Sequence, residues 1–261
     1  MARFKLVLEY NGTRYSGWQR QKNARTVQGE LDRAIGAALD DGFECQGSGR
    51  TDAGVHALMQ VAHLEARVAM PLELFRRRVN EALPPDINLL TIAKAHHRFH
   101  ARHAAVGRTY LYQIARRRTA FAKPFVWWVK EPLNVGAMAD AATRFAGMHD
   151  FRSFSDDDPE EKSTAVLIEQ VAVGEEGDLV LVRVAGSHFL WKMVRRMVGV
   201  LVEIGRGGLT IDDVDAFLRR PSATPARLTA PPSGLFLERV FYEGDNRQRP
   251  LAAAFPVRSP G

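Results

Sequence analysis

A chain of 261 residues with 46% hydrophobic residues is long enough to form one or two globular domains with a packed core. Lysine and arginine outnumber aspartate and glutamate by 36 to 30, and the net charge of +6 favours a polyanionic partner such as nucleic acid. The single cysteine, Cys45, excludes an internal disulfide and any metal site built from several thiolates, which fits a reducing cytoplasm. Charged residues interrupt the most apolar late stretch, residues 189–204, so we expect no membrane span.

The first half of the chain alternates strand and helix patterns. Apolar residues at every second position predict strands, and an apolar residue at every third or fourth position after Thr26, a suitable N-cap, predicts a helix. Pro84 ends a second helix. The predicted elements are a strand at residues 4–10, a helix at 27–38, a strand at 55–65, a helix at 72–83 and a strand at 87–95.

The second half repeats this mixture. The strongest helical pattern starts at Leu190, with apolar residues at i, i+3, i+4, i+7, i+8 and i+11, and Gly205 lies just past its end. The predicted elements are strands at residues 106–115, 166–173, 179–184 and 235–242, and helices at 135–145, 190–201 and 211–218. The polar, proline-rich residues 244–261 predict a mobile tail.

This irregular order of strands and helices predicts an α+β protein. We expect two related subdomains, residues 1–105 and 106–243, that share a mainly antiparallel sheet flanked by helices. The tail at 244–261 would stand outside both subdomains.

The loop at residues 47–56 concentrates three glycines around Arg50 and Asp52, and it is the strongest candidate for a catalytic site. A dinucleotide site is excluded because Asp52 stands where the third glycine belongs and a strand follows. No Walker lysine follows a glycine-rich loop, and no His-Glu-x-x-His occurs. A structural turn closed by an Arg50–Asp52 ion pair remains the alternative.

A neighbouring guanidinium favours the ionised form of a carboxylate. Asp52 is therefore predicted to act as a nucleophile or base. A glycosidase-type acid would need a second carboxylate facing it, and the motif offers none.

Basic and aromatic residues elsewhere fit a nucleic-acid partner. The alternation of the strand at 106–115 places Arg108, Tyr110 and Tyr112 on one face, where a base can stack. Three basic clusters could follow a phosphate backbone: Arg76 to Arg78, Arg116 to Arg118, and Lys192 with Arg195 and Arg196.

Helical spacing separates the members of the third cluster. It places Lys192 and Arg196 opposite the apolar stripe and Arg195 at its border. The histidines near residue 100 flank Arg98 and Arg102, whose charges oppose a bound cation, so no metal site is predicted there.

Together these segments resemble the tRNA pseudouridine synthase A (TruA) family from Phe4 to Tyr242. Besides residues 47–56, the segments that carry the resemblance are Tyr10-Asn11-Gly12-Thr13, Gly17-Trp18-Gln19, Thr26-Val27-Gln28, Leu83-Pro84, Phe99-His100-Ala101-Arg102, Arg108-Thr109-Tyr110-Leu111-Tyr112, His149-Asp150-Phe151, Met193-Val194-Arg195 and Gly234-Leu235-Phe236-Leu237.

The resemblance implies an isomerase, without cofactor or metal, that detaches uracil from its ribose, rotates it and rejoins it through C5 instead of N1. It implies that Asp52 is catalytic, that Arg50 pairs with it, that Tyr110 packs on the target base and that Arg195 lies beside the aspartate. Arg108 and Arg196 are the further substrate-binding candidates.

The implied substrate is tRNA, gripped by its anticodon arm across a homodimer. The default targets are uridines at the end of the anticodon loop and the start of the stem. The acidic residues at 156–161 depart from the family pattern and would repel phosphate, so we expect them to affect the target uridine more than the reaction.

Two rival functions remain. A non-catalytic RNA-binding protein on the same scaffold would keep the basic clusters and Tyr110 but would not need Asp52. A hydrolase that cleaves the glycosidic bond would release free uracil, and it lacks the paired second carboxylate.

Overall fold

The computed structural model describes residues 1–39, 41–158, 160–161 and 163–259, and the chain forms two compact units. Unit 1 comprises Met1–Val106 and Phe236–Asn246, and unit 2 comprises Gly107–Leu235 and Arg247–Gly261. The first boundary lies one residue beyond the predicted one. The last strand groups with unit 1, although it was predicted to belong to the second subdomain.

Unit 1 is a sheet with two helices. Its elements are β1 (Ala2–Tyr10), α1 (Val27–Ala38), β2 (Glu44–Gly47), β3 (His56–Ala66), α2 (Leu72–Ala82), β4 (Ile87–Lys94) and β10 (Leu235–Tyr242). The strand order is β4-β1-β3-β10, with β2 also paired to β3. All these pairs are antiparallel except β3 with β10.

Local sequence explains where these elements begin and end. Alternation buries Phe4, Leu6 and Leu8 on one face of β1. Thr26 caps α1 as predicted, since its Oγ1 accepts the Gly29 N–H at 3.2 Å. The helices α1 and α2 pack against each other, and α2 also packs against β4.

Unit 2 is also built from strands and helices. Its elements are β5 (Ala105–Ala115), β6 (Trp127–Trp128), α3 (Val135–Ala142), β7 (Gly147–Asp150), β8 (Ala165–Glu176), β9 (Leu179–Gly186), α4 (Met193–Gly205), α5 (Ile211–Arg219) and α6 (Thr224–Arg227). The strand order is β5-β9-β8-β7, antiparallel throughout, and β6 runs parallel to β5.

The predicted fold class is confirmed, because mainly antiparallel strands flanked by helices make up the chain. The predicted elements omit β2, β6, β7 and α6, which are only two to four residues long and too short to show a period. Within the described residues, no helix has the length and apolar character needed to cross a membrane.

The segment after residue 246 makes specific contacts with unit 2. The Gln113 side-chain oxygen accepts the backbone N–H groups of Ala254 and Phe255 at 2.7 and 3.2 Å, and Val257 is buried. The Val257 carbonyl also accepts the Asp178 N–H at 2.9 Å. These contacts favour an anchored segment over the mobile tail that composition predicts. Pro260 and Gly261, the end of that tail, lie outside the described residues.

We expect the backbone amides of Ala254 and Phe255 to exchange with deuterium at least tenfold more slowly than in an unstructured peptide, because both are hydrogen-bonded to a buried acceptor. Hydrogen-exchange mass spectrometry measures this. Exchange at the unprotected rate would show that the segment is mobile.

Candidate active site

Asp52 lies in the loop at residues 48–55, which connects β2 to β3 in unit 1. Its side chain is half-buried, whereas the preceding Thr51 is buried. The Val55 N–H donates to the Asp52 carbonyl at 3.1 Å, so a tight turn starts at the aspartate. The loop therefore presents one carboxylate directly before β3.

Residues 10–18 hold this loop through Thr51. The Tyr10 hydroxyl and Thr51 Oγ1 are 2.8 Å apart, and the Trp18 N–H donates to the Thr51 carbonyl at 3.1 Å. The Gly54 N–H donates to the Tyr15 carbonyl at 3.2 Å on the far side of Asp52. The chain is thus bonded to the same segment on each side of the aspartate, at Thr51 and at Gly54.

Two glycines allow this close approach. Gly17 has φ +88°, and a Cβ there would lie 2.6 Å from the Thr51 carbonyl oxygen. A Cβ on Gly12 would lie 2.0 Å from the Val55 carbonyl oxygen. Because both obstacles are backbone atoms, no side chain at either position fits without moving the loop.

Buried polar groups support the loop from below. Gln60 is fully buried, accepts the Ser48 hydroxyl at 2.8 Å and donates to the Gly49 carbonyl at 3.1 Å. His56 Nδ1 accepts the Gly12 N–H at 3.0 Å, and its ring stacks on Phe236 at 4.8 Å. The burial of Gln60 was not predicted, because Gln60 lies between the apolar residues Met59 and Val61, where strand alternation predicts an exposed side chain.

Arg50 lies on the exposed side of the same loop. Its Nε–H donates to Gln19 Oε1 at 3.2 Å, so the guanidinium joins the two segments that form the site. Its predicted pairing with Asp52 stays a prediction.

Tyr110 and Arg108 lie on β5 in unit 2, and both are half-buried. The Tyr110 ring meets Phe189 edge-on at 5.0 Å, and Arg108 Nη1 donates to the Ser187 carbonyl at 2.9 Å. Tyr112, expected on the same surface, is fully buried and donates its hydroxyl to the Pro231 carbonyl at 2.7 Å. The predicted aromatic surface therefore loses Tyr112, because β5 is covered along its second half.

Arg195 lies in the first turn of α4 and forms two hydrogen bonds with the backbone of Ala230. Its Nε–H donates to the Ala230 carbonyl at 2.7 Å, and the Ala230 N–H donates to the Arg195 carbonyl at 3.0 Å. Reciprocal bonds of this kind fix both the backbone and the start of the side chain.

The predicted exposure of Arg196 is wrong. Arg196 is only 4% exposed, and its guanidinium forms an ion pair with Asp156. The cause is the depth of α4, whose buried face extends beyond the apolar stripe and includes Arg196. Its assignment as a substrate-binding residue would require this ion pair to open and the buried Arg196 side chain to become exposed.

Two residues of the acidic loop that was expected to repel phosphate, Asp156 and Asp157, bond to residues at the start of α4. Asp156 pairs with Lys192 Nζ at 2.6 Å as well as with Arg196, and Asp157 Oδ2 accepts the Trp191 N–H at 3.0 Å. Burial acts to raise the pKa of Asp156, but hydrogen bonds from Lys192 and Arg196 outweigh it and lower the pKa below its ordinary value. Pro159 in this loop is outside the described residues.

The backbone bond of Asp157 lies just before α4, at the N–H of Trp191. Lys192 precedes α4 with φ +63° and makes no side-chain capping bond. Two carboxylates at a helix N-terminus also stabilise the helix dipole. We call Asp156, Asp157, Lys192 and Arg196 the α4 clamp.

Histidines in and near the turn after β4 form hydrogen bonds and ring contacts within unit 1. His63 Nδ1 accepts the Ala101 N–H at 3.3 Å, and the His63 and His100 rings are 4.5 Å apart. Burial, followed by the charge of His100, lowers the pKa of His63 to about 4, so the ring is neutral at pH 7. Among the residues with described positions, no group of three or more His, Cys, Asp or Glu side chains is arranged to hold a metal.

A family model described as tRNA pseudouridine synthase matches residues 6–103 and 141–243. The chain belongs to this family. The matched ranges include Asp52, Arg50 and Arg195, and the segment between them, residues 104–140, includes Tyr110.

Curated relatives agree over most of the length. The chain is 40% identical over 244 residues to the tRNA pseudouridine synthase A of Geobacter sulfurreducens, an alignment that covers 93% of this chain and 100% of that protein. It is 40% identical over 246 residues to the tRNA pseudouridine synthase A of Rhodopseudomonas palustris, with the same coverage. The family resemblance inferred from sequence is confirmed, and with it the enzyme class, an isomerase that acts on tRNA.

A solved structure is more distant. The crystal structure of a Cbf5-Nop10-Gar1 complex has 14% identity and a TM-score of 0.35, and the match covers 76% of this chain and 45% of that chain. The family assignment rests on the sequence matches alone.

We expect Gly17→Ala to lower the free energy of unfolding by about 2 kcal/mol or more, because it combines a left-handed backbone with a clash against the Thr51 carbonyl. Thermal denaturation measures the change. Gly49→Ala in the adjacent loop is the control, since its Cβ would meet no atom within 4 Å. Equal stability of the two variants would show that the close approach does not constrain the loop.

We expect Asp156→Asn to lower the free energy of unfolding by about 2 kcal/mol, since it removes the carboxylate charge that pairs with buried Arg196. Asp158→Asn, two residues along the same loop, is the matched control because Asp158 accepts the local Glu160 N–H. Chemical denaturation of both variants provides the measurement. A change no larger than that of Asp158→Asn would argue against the α4 clamp.

Proposed function

We propose that this enzyme converts uridine to pseudouridine in the anticodon stem-loop of tRNA, with Asp52 as the catalytic residue. The observation that carries the proposal is the rigid presentation of one half-buried carboxylate by a loop whose backbone is bonded to residues 10–18 on both sides. Membership of the tRNA pseudouridine synthase family supplies the reaction class and the substrate.

The reaction is an isomerisation, so every atom of the substrate is retained except for an exchange of protons. The C1′–N1 bond breaks, a C1′–C5 bond forms, C5 loses its proton and N1 gains one. An ionised Asp52 serves this sequence as a nucleophile or a base. No oxidant, metal or second substrate enters the balance.

The target base has to leave its stack before it reacts. Extrusion costs a few kcal/mol, and stacking on an aromatic ring returns about 1 to 3 kcal/mol. We assign the stacking role to Tyr110, whose ring is supported edge-on by Phe189. Arg108 lies two residues earlier on β5 and is assigned to the RNA backbone.

The remaining arginines divide into two roles. We assign Arg50 and Arg195 to interactions with charged groups at the reaction site. The hydrogen bond from Arg195 Nε to the Ala230 carbonyl orients Arg195 for this role. Arg196 is better explained as part of the α4 clamp, which positions the turn that carries Arg195.

We also propose that the enzyme is a cytoplasmic homodimer, as the resemblance to its family implies. The net charge of +6 supports association with a polyanion such as tRNA.

We expect Asp52→Asn to bind an unmodified tRNA transcript with the affinity of the wild type and to lose at least a thousandfold in turnover, because the variant keeps the shape of the side chain but loses its charge. Transcripts tritiated at uridine C5 release label only when C5 loses its proton, and mapping of the modified positions identifies the target. Release by Asp52→Asn at the wild-type rate would exclude Asp52 as the catalyst.

Product analysis in the same assay separates the rival functions. Free uracil would indicate a hydrolase, and tight binding with no label release from any tRNA would indicate a binding protein. Modification outside the anticodon stem-loop would retain the reaction and change the substrate site.

We expect Tyr110→Leu to reduce the single-turnover rate by at least tenfold with little change in tRNA affinity, because stacking stabilises the base only after extrusion. Tyr110→Phe keeps the ring and is the control. Comparable losses of rate and affinity in Tyr110→Leu would contradict the stacking role.

A further inference from the structure

Residues 116–130 of unit 2 have an unusual composition. These fifteen residues contain five cations and four aromatic side chains but no carboxylate. They lie within residues 104–140, between the two ranges that match the family model. The reaction proposed above uses none of them.

The segment connects β5 to β6 and is firmly held. Trp128 lies opposite Ala115 in the parallel pair, and the Val129 N–H donates to the Ala115 carbonyl at 3.0 Å. By strand alternation, Trp128 and Lys130 project from the same face of this strand segment. The Phe125 ring stacks on Phe255 at 4.3 Å, which fixes the underside of the loop.

Strand alternation determines which rings face solvent. Trp127 packs edge-on against the Tyr112 ring at 6.3 Å, and Val129 is buried. Trp128 between them is 43% exposed. Phe121, at the loop, is 95% exposed. A single exposed apolar residue is ordinary on a protein surface, but two large exposed rings on one short segment indicate an interaction site.

The cations divide into paired and unpaired groups. Arg116 pairs with Glu175, and Arg117 Nε pairs with Asp178 at 2.7 Å. Arg118 and Lys123 are exposed and take part in none of the ion pairs found among the described residues. Lys130 is also exposed, and its acidic neighbour Glu131 pairs with Arg206 at 2.8 Å.

We define the 116–130 surface as the exposed side chains Arg118, Phe121, Lys123, Trp128 and Lys130. We propose that this surface binds RNA, with its cations on phosphates and the ring of Phe121 stacked on an unpaired base. The bound RNA is the tRNA substrate, so the inference rests on the proposed function. Interleaved cations and rings are the means by which proteins hold unpaired nucleotides, whereas the core of a protein–protein interface is depleted of lysine.

The test measures binding in the Asp52→Asn background, where no turnover changes the RNA. Fluorescence anisotropy gives the affinity for a labelled unmodified tRNA transcript at several salt concentrations. One variant replaces Arg118, Lys123 and Lys130 with glutamine. The matched control replaces Arg144, Arg220 and Arg227, three other exposed arginines of unit 2, and therefore removes the same charge.

The charge variant should bind at least tenfold more weakly, and the slope of log affinity against log salt should fall by roughly 0.7 for each lost phosphate contact, or about two in total. The control should retain most of the affinity and slope. Equal behaviour of the two variants would overturn the proposal, since it would leave only a general effect of net charge.

A second series tests stacking at Phe121. Phe121→Ala and Phe121→Leu should weaken binding about tenfold, and Phe121→Tyr should bind as the parent protein does. Full affinity in Phe121→Leu would overturn the stacking role. Light scattering is measured for each variant, and loss of a dimer in parallel with loss of RNA affinity would reassign the surface to contact between copies of the chain.

Failure of this proposal and failure of the proposed function give different results. Label release by the enzyme with Asp52 intact tests the isomerase, and anisotropy tests the surface. Unchanged affinity with continued label release would reject the surface alone, and absence of label release would reject the proposed function whatever the affinity.

Discussion

The close approach of residues 12–18 to Thr51 is the constraint on which the candidate site depends. The Thr51 carbonyl accepts a backbone bond from Trp18, its hydroxyl meets Tyr10, and Gly17 lies where a Cβ would collide with the same carbonyl. Asp52 follows directly and begins the turn into β3. The backbone bonds of residues 12–18 and the contact between the Tyr10 and Thr51 hydroxyls therefore set the position from which Asp52 extends. This fixed presentation suits a group that has to engage one atom of an extruded base.

Unit 2 fixes its arginines by electrostatics instead. In the α4 clamp, Asp156 forms ion pairs with Lys192 and Arg196. Asp157 accepts a hydrogen bond from the Trp191 N–H. The next turn presents Arg195, held by its reciprocal bonds to Ala230. A buried guanidinium without Asp156 would retain a large desolvation cost, so the acidic loop supports the basic helix that it was expected to oppose.

Much of this arrangement could be predicted from the sequence. Alternation and capping gave β1 and α1, because both depend on neighbouring residues, and the glycine-rich loop directed attention to Asp52. The α4 clamp could not be predicted, since the residues of its ion pairs are separated by 36 and 40 positions and no local pattern links them. The burial of Arg196 and Tyr112 was missed for the same reason: periodicity gives the face of an element but not how deeply other segments cover it.

The decisive measurement is the single-turnover rate of pseudouridine formation by Tyr10→Phe, because it shows whether the contacts of Thr51 position Asp52. This variant removes only the Tyr10 hydroxyl, which meets Thr51 Oγ1 at 2.8 Å and accepts a longer hydrogen bond from Gln60 Nε2 at 3.5 Å, and it leaves Asp52 in place. We expect a rate about two- to tenfold below that of the wild type, because the loss of such a hydrogen bond costs about 0.5 to 1.5 kcal/mol, with tRNA affinity unchanged. A wild-type rate would contradict the claim that the Thr51 contacts set the position of the Asp52 carboxylate.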